Sequence, residues 1–293
     1  MNAMAGAELI PLIIVIALGV GFLASMFGIG GGFLIVPTGI YILGMEEHLA
    51  TGTSTFIIIF MSASAVIGYA RQKRIDYVVT GILLAASIPG TILGAFVGEA
   101  TPGQLIILLF GIIEMVLAAI LALKKTPDKQ LTKALEAGAY KIGEDFSHTK
   151  WWVLSRHLVD AEGKTEDYKA NLLLALPLSF VAGFLSSFLG IGGGTINIQI
   201  LYFCCGMGIH VTIASSMFMI LVSSITGAGT HFALGNVDLV VGLIFAAGVV
   251  IGAQFGTRIN KRIAPQKLKK WAAVVIIIFA VYMIVNGVFF KIA

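Results

Sequence analysis

The chain has 293 residues, of which 58% are hydrophobic and only 12% charged, and its mean hydropathy is +0.99. Soluble domains carry about a quarter charged residues, so this balance excludes an ordinary soluble domain and gives the net charge of +4 no bearing on nucleic acid. The two cysteines, Cys204 and Cys205, are adjacent within an apolar run and imply no disulfide framework.

Apolar runs recur along the chain, many near the roughly 20 residues that cross about 30 Å of hydrocarbon as a helix. They cover approximately 9–27, 33–45, 49–70, 77–98 and 103–123, then 171–189, 195–209, 211–233, 239–257 and 271–290. The first carries the small residues Ala24-Ser25-Met26 of a cleavage site, but no basic residue precedes it, only Glu8, so it reads as a retained helix. The fold class expected is an all-α integral membrane protein of about ten transmembrane segments, some broken or re-entrant. Residues 1–123 read as a first membrane repeat and 171–293 as a second. Between them, 124–170 holds nine Lys/Arg and eight Asp/Glu and reads as a water-exposed connector. Within it, Asp160-Ala161-Glu162-Gly163-Lys164 has the composition of a turn between short strands beginning near Trp151.

The two sets of segments are copies. Gly28-Ile29-Gly30-Gly31-Gly32 recurs as Gly190-Ile191-Gly192-Gly193-Gly194, 162 residues later. The offset also matches Gly21, Ser25, His48, Ser54, Asp76, Gly90 and Gly94 with Gly183, Ser187, His210, Ser216, Asp238, Gly252 and Gly256.

Basic residues orient the copies. Arg71, Lys73 and Arg74 follow the third segment, and six Lys/Arg lie between Arg258 and Lys270, after the ninth. Short loops rich in Lys/Arg stay cytoplasmic. Their counterparts under the offset, 233–236 and 96–100, carry no basic residue. Equivalent loops of opposite bias require two inverted-topology repeats with an odd number of spans each, the architecture of secondary transporters. Parity then puts both termini outside and 124–170 in the cytoplasm. The segment 33–45 reaches only about 20 Å as a helix. Whether it crosses or folds back, the parity stays odd.

Backbone interrupted by glycine is tolerated in a bilayer only when buried in protein or lining a wet cavity. The N–H groups opening the short helix after each run suit an anion. Gly28, Gly30, Gly31 and Gly32 with Gly190, Gly192, Gly193 and Gly194 are therefore substrate-site candidates, flanked by Ser25 and Ser187. The alternative is close helix packing through small residues. A dinucleotide fingerprint fits poorly, because the spacing is wrong and no βαβ unit surrounds it. Thr53 with Ser54, and Ser215 with Ser216, are candidate anion ligands, although such hydroxyls also bond their own helix backbone. Asn197 and Gln199 stand where the first half has Ile35 and Pro37; they line an asymmetric site or bond between helices. Glu114, a carboxylate deep in an apolar span, and His231 are proton-coupling candidates. His48 and His210 read as interfacial loop residues, and Asp76 and Asp238 as helix N-caps. Cys204 and Cys205 read as packing residues, a redox role being the alternative. No metal or cofactor is expected.

With these motifs laid out, the chain resembles the sulfite exporter TauE/SafE family of membrane permeases. The resemblance rests on Gly28 to Pro37, Ala50-Thr51-Gly52-Thr53-Ser54, Gly190 to Gly194, Ala214-Ser215-Ser216, and Thr226-Gly227-Ala228-Gly229-Thr230-His231 continuing to Gly235-Asn236-Val237-Asp238. It covers both membrane halves and leaves out 124–170; Pro37 has no partner in the second half. It implies export of a small sulfur-containing anion such as sulfite, sulfoacetate or a related organosulfonate. No nucleotide-binding motif in 124–170 suggests ATP drive, so protons are the expected coupling ion. The partners expected are that anion and the lipid bilayer, with no nucleic acid. Import, a passive anion channel and an enzyme acting on reduced sulfur through the cysteines are the alternatives.

Overall fold

A computed structural model describes residues 3–123 and 152–264 and, beyond them, residues 267, 270, 271, 274, 277, 278 and 281. Most of the tenth expected segment, 271–290, lies outside the described residues, as does most of the connector before residue 152.

The first half begins with α1 (Ala3–Phe27), breaks at the first glycine run, and resumes as the six-residue α2 (Gly32–Pro37). The chain then widens into a π-helical turn, Thr38–Ile42, closed by the Leu43 amide on the Thr38 carbonyl at 3.1 Å. Then come α3 (Glu47–Arg71), α4 (Tyr77–Glu99) and α5 (Gly103–Leu123). The second half repeats the order with α6 (Leu172–Phe188), α7 (Gly194–Gln199), a π-helical turn Ile200–Cys204, α8 (Ile209–Ala233) and α9 (Leu239–Asn260). Among the described residues α3, α4, α8 and α9 are long and apolar enough to cross a bilayer. The two aspartates do cap their helices. Asp76 accepts from the Val78 and Val79 amides, and Asp238 from those of Val240 and Val241. His48 and His210 are not in loops; each opens a long helix, within the first turn of α3 and α8.

The molecule is mostly helical rather than all-α. Strands β1 (Val153–Val159) and β2 (Thr165–Asn171) pair antiparallel, from Val153 opposite Asn171 to Val159 opposite Thr165. The expected turn joins them. Asp160 Oδ1 accepts from the Glu162 and Lys164 amides, and Gly163 takes the positive φ of +80° that an L side chain resists. Alternate β2 residues, Tyr168 and Ala170, are buried beside Val79, Cys205 and Met207, which roots the hairpin in the helical body.

Helix packing joins the halves. The first helix of each lies on the fourth helix of the other, α1 on α9 and α6 on α4, while α3 lies on α8. In a bilayer, helices associate through close van der Waals contact rather than a hydrophobic drive, which favours small residues. A β-carbon added to Gly94 would overlap the Phe184 carbonyl across the α4–α6 contact, and one added to Gly252 would overlap Leu18 across α1–α9. The segment after the second glycine run folds back. On leaving α7 the chain returns to the strand that feeds α6, a β-carbon on Gly206 lying 3.8 Å from the Lys169 carbonyl oxygen. The end of α3 and the end of α9 share that end of the molecule, where Gln72 Nε2 donates to the Thr257 carbonyl at 3.2 Å. At the opposite end Asn236, before α9, donates to Glu99, at the end of α4.

Candidate functional site

The glycine breaks are built from left-handed backbone. Gly28 and Gly30 have φ of +72° and +78°, and Gly190 and Gly192 repeat this at +70° and +75°. Such angles cost an L side chain about 1–2 kcal/mol. The third glycines differ: Gly31 is right-handed at φ −87°, whereas Gly193 is left-handed at +69°. All ten residues of the two breaks are buried.

The two breaks touch each other. A β-carbon on Gly30 would sit 2.5 Å from the Ile191 carbonyl oxygen; on Gly32 it would overlap Gly190, and on Gly194 it would overlap Ile29. Bare backbone is required here because another bare backbone lies against it.

The duplicated hydroxyls lock this contact crosswise. Ser54 Oγ, from the first half, donates to the Gly190 carbonyl at 2.7 Å. Ser216 Oγ, from the second, donates to the Gly28 carbonyl at 2.9 Å. Thr53 Oγ1 accepts the Asp238 amide at 2.9 Å, and Ser215 Oγ accepts the Asp76 amide at 3.0 Å. Each half thus lends one hydroxyl to the other's glycine break and one to the cap of its fourth helix. All four candidate ligand hydroxyls are engaged with backbone. Of the flanking serines, Ser25 Oγ lies 3.1 Å from the Ala253 carbonyl, and Ser187 Oγ lies 3.2 Å from His231 Nε2.

Other candidates stand around this centre. Asn197, on α7, is 2% exposed and its Oδ1 has no hydrogen-bond partner among the described residues; Gln199 ends the same helix, half-buried. His231, 3% exposed, approaches the main chain just before the second break, its Nε2 3.0 Å from the Ser187 carbonyl. Glu114 belongs to α5, and its side chain lies outside the described residues. Cys205 is buried at the foot of the hairpin.

A polar cluster without a sequence signal ties the hairpin down. The fully buried Asp76 side chain pairs with Arg156 of β1, Oδ2 to Nε at 2.8 Å, and accepts the Tyr168 hydroxyl. Burial alone would push the Asp76 carboxyl up, but hydrogen bonds from Arg156, Tyr168 and the Val79 amide outweigh it and hold the group below its usual range. Beside it Arg74 pairs with Asp160 at 3.1 Å, and the Ala161 amide donates to the Gln72 carbonyl at 3.0 Å. A single aspartate before a helix reads as a cap, and nothing in the spacing announces an arginine 80 residues away.

Comparison with known proteins finds a family match along most of the chain. The family described as "Sulfite exporter TauE/SafE" matches residues 13–283. "Probable membrane transporter protein YunE" of Bacillus subtilis is 27% identical over 285 residues, covering 95% of this chain and 98% of that protein. A "Probable membrane transporter protein" of Methanocaldococcus jannaschii is 26% identical over 290 residues, covering 94% and 96%. One of Xylella fastidiosa is 25% identical over 271 residues, covering 90% and 91%. No solved structure matches the chain. Apolar helices, duplicated glycine breaks and a family match across both halves lead to one conclusion: the chain belongs to the sulfite exporter TauE/SafE family, as a multi-pass membrane transporter and not an enzyme.

Proposed function

We propose that the protein is a secondary transporter that exports a small sulfur-containing anion, such as sulfite, sulfoacetate or a related organosulfonate, in exchange for protons. The observation that carries this reading is the reciprocal contact of the two glycine breaks, each latched by a serine of the other half. Such an interface has one unit on either side of a shared centre, as alternating access demands. The exchanged packing of α1 on α9 and α6 on α4 supports two halves of inverted topology, 1–123 and 171–293, joined by a cytoplasmic 124–170.

In this reading the breaks part to admit the anion. Opening releases Ser54 and Ser216 from carbonyls and exposes amides of Gly30, Gly31, Gly32, Gly192, Gly193 and Gly194. An oxyanion needs such donors, and amides supply them without a buried positive charge. Asn197 adds a side-chain amide that can turn its donors inward.

The test is flux of radiolabelled sulfite and sulfoacetate in proteoliposomes, with and without a pH gradient. Accumulation of either anion against its own gradient, driven by protons, is the expected result. Flux that only relaxes the electrochemical gradient would mean a channel, and concentrative movement in the opposite sense an importer.

A further inference from the structure

The two copies differ along one buried seam, and the difference is chemical. In the second seam, between α4, α6 and α8, Ser87 Oγ lies 3.3 Å from Ser223 Oγ, and Thr91 Oγ1 donates to the Ser87 carbonyl at 2.9 Å. Ser187 Oγ and Thr91 flank Gly227, whose β-carbon would lie 3.0 and 3.3 Å from them, and His231 follows one turn later on α8. The positions equivalent to Ser87, Thr91, Ser223, Gly227 and His231 are Val249, Ala253, Met61, Ala65 and Tyr69. All five are buried in the apolar core of the first seam.

Tyr69 and His231 make the same bond. The Tyr69 hydroxyl donates to the Ser25 carbonyl at 2.6 Å, and His231 Nε2 lies 3.0 Å from the carbonyl of Ser187, the equivalent serine. A carbonyl oxygen only accepts, so Nε2 carries the proton and Nδ1 carries the lone pair. Nδ1 is buried and has no hydrogen-bond partner among the described residues. The tyrosine fulfils the structural duty completely; the histidine fulfils it and leaves a basic nitrogen over. Buried polar atoms are nearly always paired, so a lone one calls for an explanation.

We infer that His231 Nδ1 is the site that takes up and releases the coupling proton, with the hydroxyls of Ser87, Ser223, Thr91 and Ser187 as the polar lining of its path. The inference rests on the proton-coupled transport proposed above. Protonation adds one H⁺ at Nδ1 and yields an imidazolium, with Nε2 still bonded to Ser187. The titratable groups that the packed helices bring toward the ring are Glu99, at the end of α4, and His48, at the start of α3. The first half, with Tyr69 in the equivalent place, anchors its helices and carries no proton.

The test uses the full-length protein in proteoliposomes with radiolabelled sulfoacetate, whose charge does not change around neutral pH as that of sulfite does. His231→Gln and His231→Tyr are compared with Tyr69→Phe, each checked for folding by its thermal melt. Both His231 variants should lose accumulation driven by a pH gradient while keeping exchange of labelled for unlabelled substrate. Tyr69→Phe should melt earlier yet keep the pH-driven accumulation. His231→Tyr borrows the first half's own solution for the Ser187 bond and guards against a folding failure of the glutamine variant. Unchanged pH-driven accumulation in either folded His231 variant would overturn the inference, as would equal loss in Tyr69→Phe. Wild-type protein that exchanges substrate but ignores the pH gradient would instead remove the proton-coupled reading beneath it.

Discussion

At the scale of single residues, the glycines of one run are not equivalent. Gly32 and Gly194 face backbone of the opposite break, and a methyl group on either would overlap main-chain atoms. Gly31 has an ordinary φ, and its methyl would meet only side-chain ends, Ile35 Cδ1 at 2.9 Å and Met61 Sδ at 3.1 Å. Gly194→Ala should therefore fail to yield a stable protein, whereas Gly31→Ala should fold at an overpacking cost of about 1–3 kcal/mol. Gly31→Ala is then the variant in which substrate affinity can be read. If its amide serves the anion, affinity should fall roughly tenfold or more. Normal affinity, measured by the substrate-induced melting shift, would leave the break a packing device only. Ser54→Ala and Ser216→Ala each strand a buried carbonyl of the other half and should each lose about 1–3 kcal/mol; thermal melts check this. The need for bare backbone was legible in the sequence from the repeated run. Its cause was not, because Gly32 and Gly190 are 158 residues apart and only the packed fold brings them together. Thr53 and Ser54 stood out in the sequence because their positions recur as Ser215 and Ser216, without any hint that they reach into the other half.

At the scale of elements, the hairpin treats the two halves unequally. Asp76 and Asp238 cap equivalent helices, but Asp76 alone is paired to a strand arginine and covered. Removing one partner of a buried ion pair costs about 3–5 kcal/mol. Arg156 is partly exposed, which puts Arg156→Ala toward the lower end of that range. The measurable result is earlier proteolysis within 153–171 before the helical body melts. The pH dependence follows from the lowered Asp76 carboxyl. A carboxyl more acidic in the folded state than in the unfolded chain contributes stability that is fully present above its unfolded value, about 3.9. The contribution is lost as the pH falls through the lowered folded value. The Asp76 contribution to hairpin docking should thus be flat from pH 8 to about pH 5 and weaken only below about pH 4; Asp76→Asn should reduce that acid limb without abolishing it, because Asp160 is also held low. Turn chemistry at 160–164 announced the hairpin, and a single cap residue could not announce its mooring.

At the scale of the whole molecule, the arrangement turns on which loops share an end. Glu99 and Asn236 are hydrogen-bonded to each other, and both neighbour the α3 start through the contact of Gly52 with Asn236. Lys73 follows Gln72, which donates to Thr257, and Arg258 and Lys261 lie in the same turn of chain. The basic loops thus gather at the hairpin end, although in sequence one follows the third segment and the other the ninth. Basic loops stay on the cytoplasmic side, so the expectation is that the hairpin end faces inward and that Glu99 and Asn236 face outward. Single cysteines placed at these positions, in a background where Cys204 and Cys205 are replaced, make this measurable with a membrane-impermeant maleimide on intact cells. Probes at Glu99 and Asn236 should label from outside. Those at Lys73 and Lys261, both exposed, should label only after the membrane is opened. External labelling of Lys73 together with Asn236 cannot occur in a molecule that keeps them at opposite ends of a bilayer. That result would remove the inverted pairing of the halves, and with it the reason for two glycine breaks to approach one centre from opposite sides.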